Sequence, residues 1–521
     1  MNTSKSSWCY FSRAALLLVV SLVVLLMVGG CSSYGARQQY TGQSEFVSAS
    51  AAFDAVRNDP VRLRAYLVEF PKGGELHSHT SGAVYAEDYL RWAVDQKLCV
   101  APETLQLSNA PCASATLPAA KAFANATLYS RMIDSFSNRN FNSSRAMWGH
   151  DNFFATFDRF DLVTDNNAGK MLAEVMREAG RTNAVYLELM KCYFPPELWK
   201  AATTAGWDGN ADATLARLRQ TGVFDTIPAS RQRIGEVEAK AAALVAGTPG
   251  ANVTVRWLEQ CIRSLPPQYV FAQFAYAFAL CQADPRVVGF NLVAPEDNPV
   301  SMRDYSLHMH MIQALRKHFP ATNVSLHAGE LRLGLVEPEG LRFHIREAVE
   351  VAGSKRIGHG VDLPFEKDMP GLLKEMKKRG VSVEICLSSN DQILGVTGKD
   401  HPVRTYMAAG IPITLNTDDA GVARIDLPHE YQKAVQEQGF GFDDLVRASR
   451  NVLEYSFLPG QSLWQNATTF TPVNSCADGL KCGTPSVQCK ALLAKSRKAD
   501  LQWKLEQRFR AFDQRAPQFA R

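Results

Sequence analysis

The stretch Gly74-Glu75-Leu76-His77-Ser78-His79 decides the fold, because a short strand-like run here ends in two histidines one residue apart. Residues two apart on a strand point to the same side, so both imidazoles can reach one ion. The same pattern returns three times: Val324-Ser325-Leu326 before His327-Ala328-Gly329-Glu330, Arg356-Ile357 before Gly358-His359-Gly360, and Ile413-Thr414-Leu415 before Asn416-Thr417-Asp418-Asp419. Such side chains converge if the strands end on one face of a common sheet, the face that carries the chemistry in a (β/α)8 barrel.

Four further strand candidates complete a set of eight, at residues 184–189, 253–257, 287–293 and 381–385. Helical patterns lie between the strands, for example over residues 305–318 and 371–379. Strands of nearly continuous apolar character that alternate with helices are typical of a parallel sheet buried on both faces. The sequence therefore predicts an α/β fold, a (β/α)8 TIM barrel with a helical insertion after strand 1 and a C-terminal helical extension.

The composition divides the chain into four segments. We expect a signal peptide at 1–30, a Ser-, Gly- and Gln-rich tether at 31–50, the barrel at 51–470, and a cysteine-containing extension at 471–521 with a helix over 490–512. The barrel includes the insertion, at about 95–165. From sequence, this insertion is equally well interpreted as a lid or as a structural addition.

The N-terminus resembles a bacterial lipoprotein leader. Lys5 and Arg13 precede an apolar stretch that ends in Val28-Gly29-Gly30-Cys31, and small residues before a cysteine are typical of a lipobox. Cys31 would then carry the lipid. The alternative is a single membrane-spanning anchor, for which the stretch is slightly short. We expect an exported lipoprotein anchored to the membrane, and Ser32 favours the outer membrane, facing the periplasm.

Charge and cysteine content narrow the partners and the compartment. The formal net charge is +4, and the leader supplies two of these charges, so the body gives no electrostatic footprint for nucleic acid. A small-molecule partner is expected, and the oligomeric state is left open. Export permits disulfides among the eleven cysteines. Cys99 with Cys112 is the favoured pair, and one further bridge is expected among Cys476, Cys482 and Cys489.

Three imidazoles and one carboxylate, from His77, His79, His327 and Asp418, match the ligand set of a catalytic zinc ion with one position left for water. Each residue alone has a more ordinary interpretation. Two spaced histidines occur by chance on surfaces, His327 could be a core histidine, and Asp418 with Asp419 could cap a helix. Their joint placement at strand ends favours the metal site.

Glu330 and His359 are the candidate proton-handling groups. Glu330 could be a solvated loop carboxylate, but beside a metal and under a substrate ring it could carry a proton to the substrate. His359 lies between two glycines, which allow a tight turn and a close ligand approach. Beside a metal-activated water, its imidazole could accept or orient the water's proton.

These motifs resemble the adenosine/AMP deaminase family, and most of all its secreted growth-factor-related branch. The matching stretches are ELHSHTSGA, VVGFNLVAPED, SLHAGE, RIGHG, EICLSSN, HPVRTYMAAG, NTDD and SFLPG, in the family's order over most of residues 70–460. The combination of HAGE, GHG and TDD is highly specific, whereas the HxH pair adds little alone. The resemblance implies the family's barrel and one zinc ion per chain.

By position, His77, His79, His327 and Asp418 resemble the family's zinc ligands. Glu330 resembles the acid that protonates purine N1, His359 the group that positions the attacking water, and Asp419 the carboxyl that hydrogen-bonds N7. The implied reaction is hydrolytic deamination of adenosine, or a related 6-aminopurine nucleoside, to inosine and ammonia.

Two departures from the family concern the substrate. Thr80 and Ser81 stand where the family usually has an aspartate that holds the sugar, and Ala294 stands where a glycine faces the purine. Adenine or a modified adenosine is therefore an alternative substrate. A non-catalytic nucleoside-binding lipoprotein and another metal-dependent amidohydrolase are the rival classes. Cytidine-type zinc deaminases are excluded, because the sequence lacks H-x-E with P-C-x-x-C.

Overall fold

All eight predicted strands form, and their order in the sheet is their order along the chain. The computed structural model describes residues 45–142 and 148–521, of which residues 48–521 form one compact unit. The strands are β1 Lys72–His79, β2 Ala184–Lys191, β3 Thr254–Ile262, β4 Val287–Val293, β5 Asn323–Ala328, β6 Arg356–His359, β7 Ser382–Ile385 and β8 Ile413–Leu415. Successive strands pair in parallel from β1 to β8. The predicted (β/α)8 fold is confirmed.

The barrel closes between β1 and β8, at the ends that carry the predicted ligands. Ser78 and Asp418 form a parallel bridge. The backbone N–H of His79 donates to Asp418 O (3.1 Å), and the N–H of Asp418 donates to His77 O (3.2 Å). The Asn416 amide oxygen accepts from Leu76 N at 2.9 Å. The hydrogen bonds of the seam therefore run through the backbone of the predicted metal ligands.

Helices surround the sheet, and most connect one strand to the next. The described helices are Val47–Val56, Pro60–Glu69, Ala86–Asp95, Ala126–Ser135, Trp148–Thr164, Ala168–Arg181, Glu197–Ala205, Ala211–Gln220, Ile227–Val245, Pro267–Ala283, Pro299–Arg303, Tyr305–His318, His344–Glu350, Met369–Arg379, Leu387–Leu394, Val403–Ala409, Ala420–Ala423, Leu427–Gln438, Phe442–Tyr455, Asn474–Cys482, Val487–Lys495 and Arg497–Arg515. Each crossover returns the chain to the same end of the sheet, so the carboxyl ends of the strands share one face.

An ionic layer occupies the barrel interior beneath that face. Arg356 on β6 is buried, with its Nη1 2.7 Å from Glu188 Oε2 and its Nε 2.5 Å from Glu384 Oε1. Its guanidinium also lies over the Phe457 ring, 3.8 Å from the centroid. Buried charges persist only when they are paired. The strands are therefore less uniformly apolar than the sequence pattern suggested.

The insertion after β1 is helical in its second part but begins with a small antiparallel sheet, formed by Cys99–Val100, Leu107–Ser108 and Leu117–Pro118. This first part differs from the prediction. Prolines at 102, 111 and 118 interrupt the segment, and proline ends a helix because it has no N–H to donate. The runs that remain are too short for stable helices. We call Trp148–Thr164, the longest helix of this region, the insertion helix.

Two disulfides match the cysteine predictions: Cys99–Cys112 in the insertion and Cys476–Cys489 in the C-terminal extension. The single helix predicted over 490–512 is instead two helices, which end and begin at Ser496. The Ser496 hydroxyl accepts from Ala499 N at 3.1 Å and so caps the second helix. A local side-chain hydrogen bond therefore outweighs the helical pattern at this position.

The N-terminal predictions fall mainly outside the described residues, since the leader at 1–30 and Cys31 precede residue 45. The predicted tether is shorter than expected, because the helix Val47–Val56 begins inside it. This alanine-containing run favours a helix. Over residues 45–142 and 148–521, no helix has the length and apolar character needed to cross a bilayer.

Candidate active site

The four predicted metal ligands meet at the carboxyl ends of the strands. His77 and His79 end β1, His327 lies near the end of β5, and Asp418 follows β8. All four are buried, and one ligand atom from each lies within 4.8 Å of the others. Residues up to 341 positions apart in the chain are thus brought to one point by the barrel topology.

The spacing of these atoms allows them to share one metal ion. His327 Nε2 lies 3.1 Å from His77 Nε2 and 3.3 Å from His79 Nε2. Asp418 Oδ1 lies 3.4 Å from His77 Nε2 and 3.3 Å from His79 Nε2. Two ligand atoms that each bind one zinc ion at about 2.0–2.1 Å are separated by roughly 3–4 Å. The four atoms therefore hold the geometry of a metal-binding group.

Each imidazole is oriented by an oxygen behind it. The ring Nδ1 atoms lie at hydrogen-bond distance from oxygen acceptors: His77 from Glu384 Oε2 (2.7 Å), His79 from Gln260 Oε1 (3.0 Å) and His327 from Asn291 Oδ1 (2.8 Å). An oxygen acceptor requires Nδ1 to carry the proton, so each neutral ring presents the lone pair of Nε2 to the common point. The three rings are thereby prepared to bind a cation.

Asp418 is oriented in the same way. The Ser389 hydroxyl donates to Asp418 Oδ2 at 2.8 Å. The other oxygen, Oδ1, is buried and accepts no hydrogen bond from the part of the chain that the structure describes. A buried oxygen without a donor is costly unless a cation satisfies it. This observation supports a metal at the site independently of the distances.

Without a cation, the imidazoles of the cluster have pKa values shifted in opposite directions. Burial lowers the pKa of His77, but the neighbouring carboxylates of Asp418 and Glu384 raise it to about 9. Burial, with the neighbouring imidazoles, holds the pKa of His327 well below its usual value. Rings in contact with opposite pKa shifts compete for a single proton. A metal ion in the centre removes this competition.

Glu330 lies beside the metal-binding group, in a buried environment that favours its protonated form. Its carboxylate, His359 and Asp418 each place an atom within 4.8 Å of the others, and His359 Nε2 is 3.5 Å from Glu330 Oε1. Burial, and then the charge of Asp418, raises the pKa of Glu330 well above its ordinary value. A carboxyl that stays protonated near neutral pH can act as a proton donor.

The turn that carries Glu330 is held by a second carboxylate, Glu296. Glu296 accepts from Gly329 N (3.0 Å) and Glu330 N (2.9 Å). Burial alone would raise the pKa of Glu296, but Arg263 and the hydrogen bond from His344 lower it to about 2. Glu296 is therefore ionised, and it fixes the backbone from which Glu330 projects.

Asp419 does not cap the helix that follows it, because its side chain makes no capping hydrogen bond to Ala420–Ala423. The helix-cap interpretation is thus unsupported for this residue. Burial raises the pKa of Asp419 well above its ordinary value, so the carboxyl is protonated and can donate a hydrogen bond. Gly82 packs tightly against it, since a Cβ at Gly82 would lie 1.5 Å from Asp419 Oδ1.

The predicted substrate-binding residues differ in whether their side chains are free to bind a ligand. The Thr80 hydroxyl is buried and donates to Met190 O at 3.0 Å. The Ser81 hydroxyl is half-buried and has no hydrogen bond within residues 45–142 and 148–521. Ala294 has φ +83°, a backbone conformation that favours glycine. The alanine thus keeps the backbone that a glycine would adopt, and adds a methyl group.

The insertion helix links opposite sides of the barrel mouth. It packs against Leu387–Leu394 after β7 and Ala420–Ala423 after β8. Near its first turn, His150 Nε2 lies 3.1 Å from Asp297 Oδ1, in the loop after β4. Burial lowers the pKa of His150, but the hydrogen bonds with Asp297 and Asp151 raise it above its usual value.

Several residues that build the site were not identified from the sequence: Glu384, Gln260, Asn291, Ser389, Glu296 and Arg263. One usable signal exists for two of them. Glu384 and Asn291 are polar side chains inside otherwise apolar strand runs, and both are buried. Buried polar groups need partners. The sequence pattern thus indicates that these residues need hydrogen-bond partners, but it does not identify the partners.

The fold and site define a class of protein, a (β/α)8 barrel with a His3Asp metal-binding group and a buried glutamate beside it. The sequence model of the adenosine deaminase family matches residues 141–464, more than half of the chain. The chain therefore belongs to the adenosine deaminase family.

Curated relatives cover parts of the chain. An adenosine deaminase of Shewanella loihica is 40% identical over 113 residues, 22% of this chain and 33% of that protein. An adenine deaminase of Sinorhizobium fredii is 28% identical over 228 residues, 43% of this chain and 63% of that protein. The chain thus matches about a third of the first relative and under two thirds of the second.

Among solved structures, the apo N6-methyl-AMP deaminase of Arabidopsis thaliana aligns with a TM-score of 0.50 at 18% identity, over 76% of this chain and 94% of that one. At this level of identity the likeness concerns the fold alone.

Proposed function

We propose that this protein is a zinc-dependent aminohydrolase that converts adenosine to inosine and ammonia. The observation that carries the proposal is the convergence of three imidazole lone pairs and Asp418 Oδ1 within 4.8 Å, next to a buried Glu330. A ligand set of three histidines and one aspartate suits zinc. When bound, the ion would supply Lewis-acid activation of a water molecule.

Glu330 supplies the proton that the purine ring needs. Addition of water at C6 breaks the aromaticity of the six-membered ring and places electron density on N1. Protonation of N1 by Glu330 removes that charge. The amino group takes one proton of the water and leaves C6 as ammonia. C6 keeps the oxygen of the water, and the second water proton returns to Glu330. The raised pKa of Glu330 keeps the proton available near neutral pH.

Asp419 orients the ring from its other edge. Purine N7 carries a lone pair and no proton, so its partner must be a hydrogen-bond donor. A carboxyl can donate only when it is protonated, and burial raises the pKa of Asp419 well above its usual value. The protonated Asp419 therefore matches N7 and distinguishes a purine from a ring without this acceptor.

Ser81 is the residue through which the sugar is expected to be distinguished. Its hydroxyl is free to contact a ribose, but a neutral hydrogen bond is weaker than one to a carboxylate. Ser81→Asp should raise kcat/KM for adenosine and leave free adenine nearly unchanged. Equal changes for both substrates would show that the position does not face the ribose, and would favour the adenine alternative.

The decisive experiment measures ammonia release by the leaderless protein from adenosine, 2′-deoxyadenosine, adenine, N6-methyladenosine and AMP, with zinc content determined in parallel. Adenosine should be deaminated at about one zinc per chain. Glu330→Gln should keep the zinc but lose rate by roughly 10²–10⁴-fold, the typical contribution of a general acid. Nucleoside binding without ammonia release would favour the non-catalytic lipoprotein instead.

We also propose that the protein is exported as a lipoprotein of the secreted growth-factor-related branch, anchored through Cys31 to the outer membrane on its periplasmic side. The two disulfides support an oxidising compartment. Metabolic labelling with palmitate should mark the full-length protein, and Cys31→Ser should abolish the label. A label that persists on the serine variant rules out the lipobox.

A further inference from the structure

We infer that a buried relay from Val403 through His401 and Asn390 makes His359 Nδ1 a hydrogen-bond acceptor, so that the ring carries its proton on Nε2. His359 then acts on the reacting water as a hydrogen-bond donor and not as a proton acceptor. Asn390 and His401 are positioning residues in this scheme. The catalytic part of the inference rests on the proposed function, whereas the placement of the proton does not.

The relay begins at a backbone N–H, which can only donate a hydrogen bond. The backbone N–H of Val403 donates to His401 Nδ1 at 3.2 Å. A backbone amide nitrogen only donates, so His401 Nδ1 must be the acceptor and carry no proton. This removes the usual ambiguity about ring nitrogens, because the anchor is main chain.

Because His401 Nδ1 accepts a hydrogen bond, His401 Nε2 is the nitrogen that donates one. Its side chain is buried, and burial, helped by the charge of Lys433, lowers its pKa to about 3. The ring is therefore neutral and carries its single proton on Nε2. Nε2 lies 3.1 Å from Asn390 Oδ1, which accepts the hydrogen bond. This assignment also fixes which end of the Asn390 amide is the oxygen.

Asn390 completes the relay. With its oxygen toward His401, its NH2 group faces His359 Nδ1 at 3.0 Å. An amide NH2 group only donates, so His359 Nδ1 is an acceptor. Both residues are completely buried, so water does not offer an alternative partner. A neutral His359 must then carry its proton on Nε2.

The proton on Nε2 faces the reacting groups. His359 Nε2 lies 3.5 Å from Glu330 Oε1, and it has no hydrogen-bond partner among the described residues. A neutral ring with N–H on that side has no lone pair there to receive a proton. No proton is transferred to His359 in this scheme; the ring only donates a hydrogen bond that orients the water's oxygen.

The contrast with the metal-binding histidines makes the arrangement specific. Those three rings have oxygen acceptors behind Nδ1 and therefore present lone pairs inward. His359 has a donor behind Nδ1 and presents an N–H inward. Four imidazoles in one site thus divide into three metal-binding rings and one donor, because of the group behind each.

The test on the unchanged sequence is NMR of the leaderless protein labelled with 15N-histidine, with and without zinc. Long-range 15N–1H spectra distinguish the two neutral tautomers, and the His359 signals are identified by their loss in His359→Gln. We expect the Nε2–H pattern for His359, and the Nδ1–H pattern for His77 in the zinc-loaded protein, where His77 serves as the internal reference. An Nδ1–H pattern at His359 would overturn the inference.

The relay is tested with Asn390→Asp. An ionised carboxylate only accepts, so it should accept from His401 Nε2–H and draw the His359 proton to Nδ1. We expect the tautomer to change, kcat to fall by roughly 10- to 100-fold, the scale for residues that orient an active-site histidine, and KM and zinc content to stay unchanged. Asn451→Asp, on the helix Phe442–Tyr455 and hydrogen-bonded to Ile413 O at the start of β8, controls for burying a new carboxylate and should leave the tautomer unchanged.

The outcomes separate the two proposals. A fall in kcat with an unchanged His359 tautomer would show that Asn390 has only a structural role, and would overturn the relay. A protein that deaminates none of the purines but keeps the Nε2–H form contradicts the proposed function and supports the proton assignment.

Discussion

Replacement of Glu384 by glutamine should weaken zinc binding more than it weakens the fold. Glu384 Oε2 accepts from His77 Nδ1 (2.7 Å), while Oε1 lies 2.5 Å from Arg356 Nε and accepts from the Ser325 hydroxyl at 3.0 Å. A glutamine has one acceptor oxygen and one NH2 group. In Glu384→Gln, either His77 or Arg356 therefore loses its acceptor and faces a donor.

The size of the effect follows from these contacts. A hydrogen bond to a charged group contributes about 1.5–3 kcal/mol, a factor of roughly 10 to 150 in an equilibrium constant. Loss of a partner that orients a metal-binding histidine typically costs about 10- to 100-fold in metal affinity. Arg356 keeps Glu188, at 2.7 Å, so the loss of stability should stay below the roughly 3–5 kcal/mol of a buried charge left unpaired.

The assay is competition for zinc against a chelator of known affinity, with urea unfolding of the metal-free protein measured alongside. Glu188→Gln is the matched control, because it removes the other carboxylate of Arg356 without touching His77. We expect both variants to lose stability and only Glu384→Gln to lose zinc affinity by about 10- to 100-fold. Equal losses of zinc affinity in both variants would refute the reasoning, since the metal would then respond only to general destabilisation.

Further predictions concern packing, pH and thiols. Gly358→Ala should lose zinc, because the new Cβ would lie 2.5 Å from His77 Cε1. Gly82→Ala should keep zinc but lose rate, because its Cβ would displace the Asp419 side chain. Zinc content and kcat, measured for both variants, check this prediction. The raised pKa of His150 means that its ion pairs hold the insertion helix at low pH and release it as pH rises through that pKa. The protection of this helix against amide exchange, relative to the intrinsic exchange rate at each pH, should therefore fall above about pH 6.5; a pH-independent protection factor contradicts this. The denatured, unreduced mature protein should show five reactive thiols, the five free cysteines of the structure, and a count of nine would mean that neither bridge forms.

The strand ends were predictable because barrel topology leaves few places for chemistry. A short apolar run followed by His, Glu or Asp predicts a strand whose end projects a functional side chain, and parallel strands place all such ends on one face. The sequence therefore assigns His77, His327 and Asp418 to one site, and in the structure His77 Nε2 lies 3.1 Å from His327 Nε2 and 3.4 Å from Asp418 Oδ1.

The residues behind the ligands could not be assigned from sequence, because hydrogen-bond partners come from different strands. Glu384 on β7 orients His77 on β1, and nothing local to either residue records that pairing. Asn390 and His401 lie in the stretches EICLSSN and HPVRTYMAAG, which resemble the family. Their relay could not be predicted, because it depends on a hydrogen bond from the backbone N–H of Val403 to His401. The prediction for the start of the insertion was wrong for a simpler reason. A helical composition does not show where two-residue strands will pair.

The seam between β1 and β8 makes assembly of the metal site inseparable from completion of the barrel. The backbone hydrogen bonds that join His79 and Asp418 close a loop of more than 300 residues, and loop closure of this length is paid in chain entropy. A metal ion that binds both edges of the seam offsets part of that entropy, and it does so only in the folded chain. Free zinc at a hundred times its dissociation constant would stabilise the native state by about 2.7 kcal/mol. Because β8 is the last strand to be synthesised, the ion cannot be fully coordinated until the whole domain exists, so zinc supply and folding yield should rise and fall together.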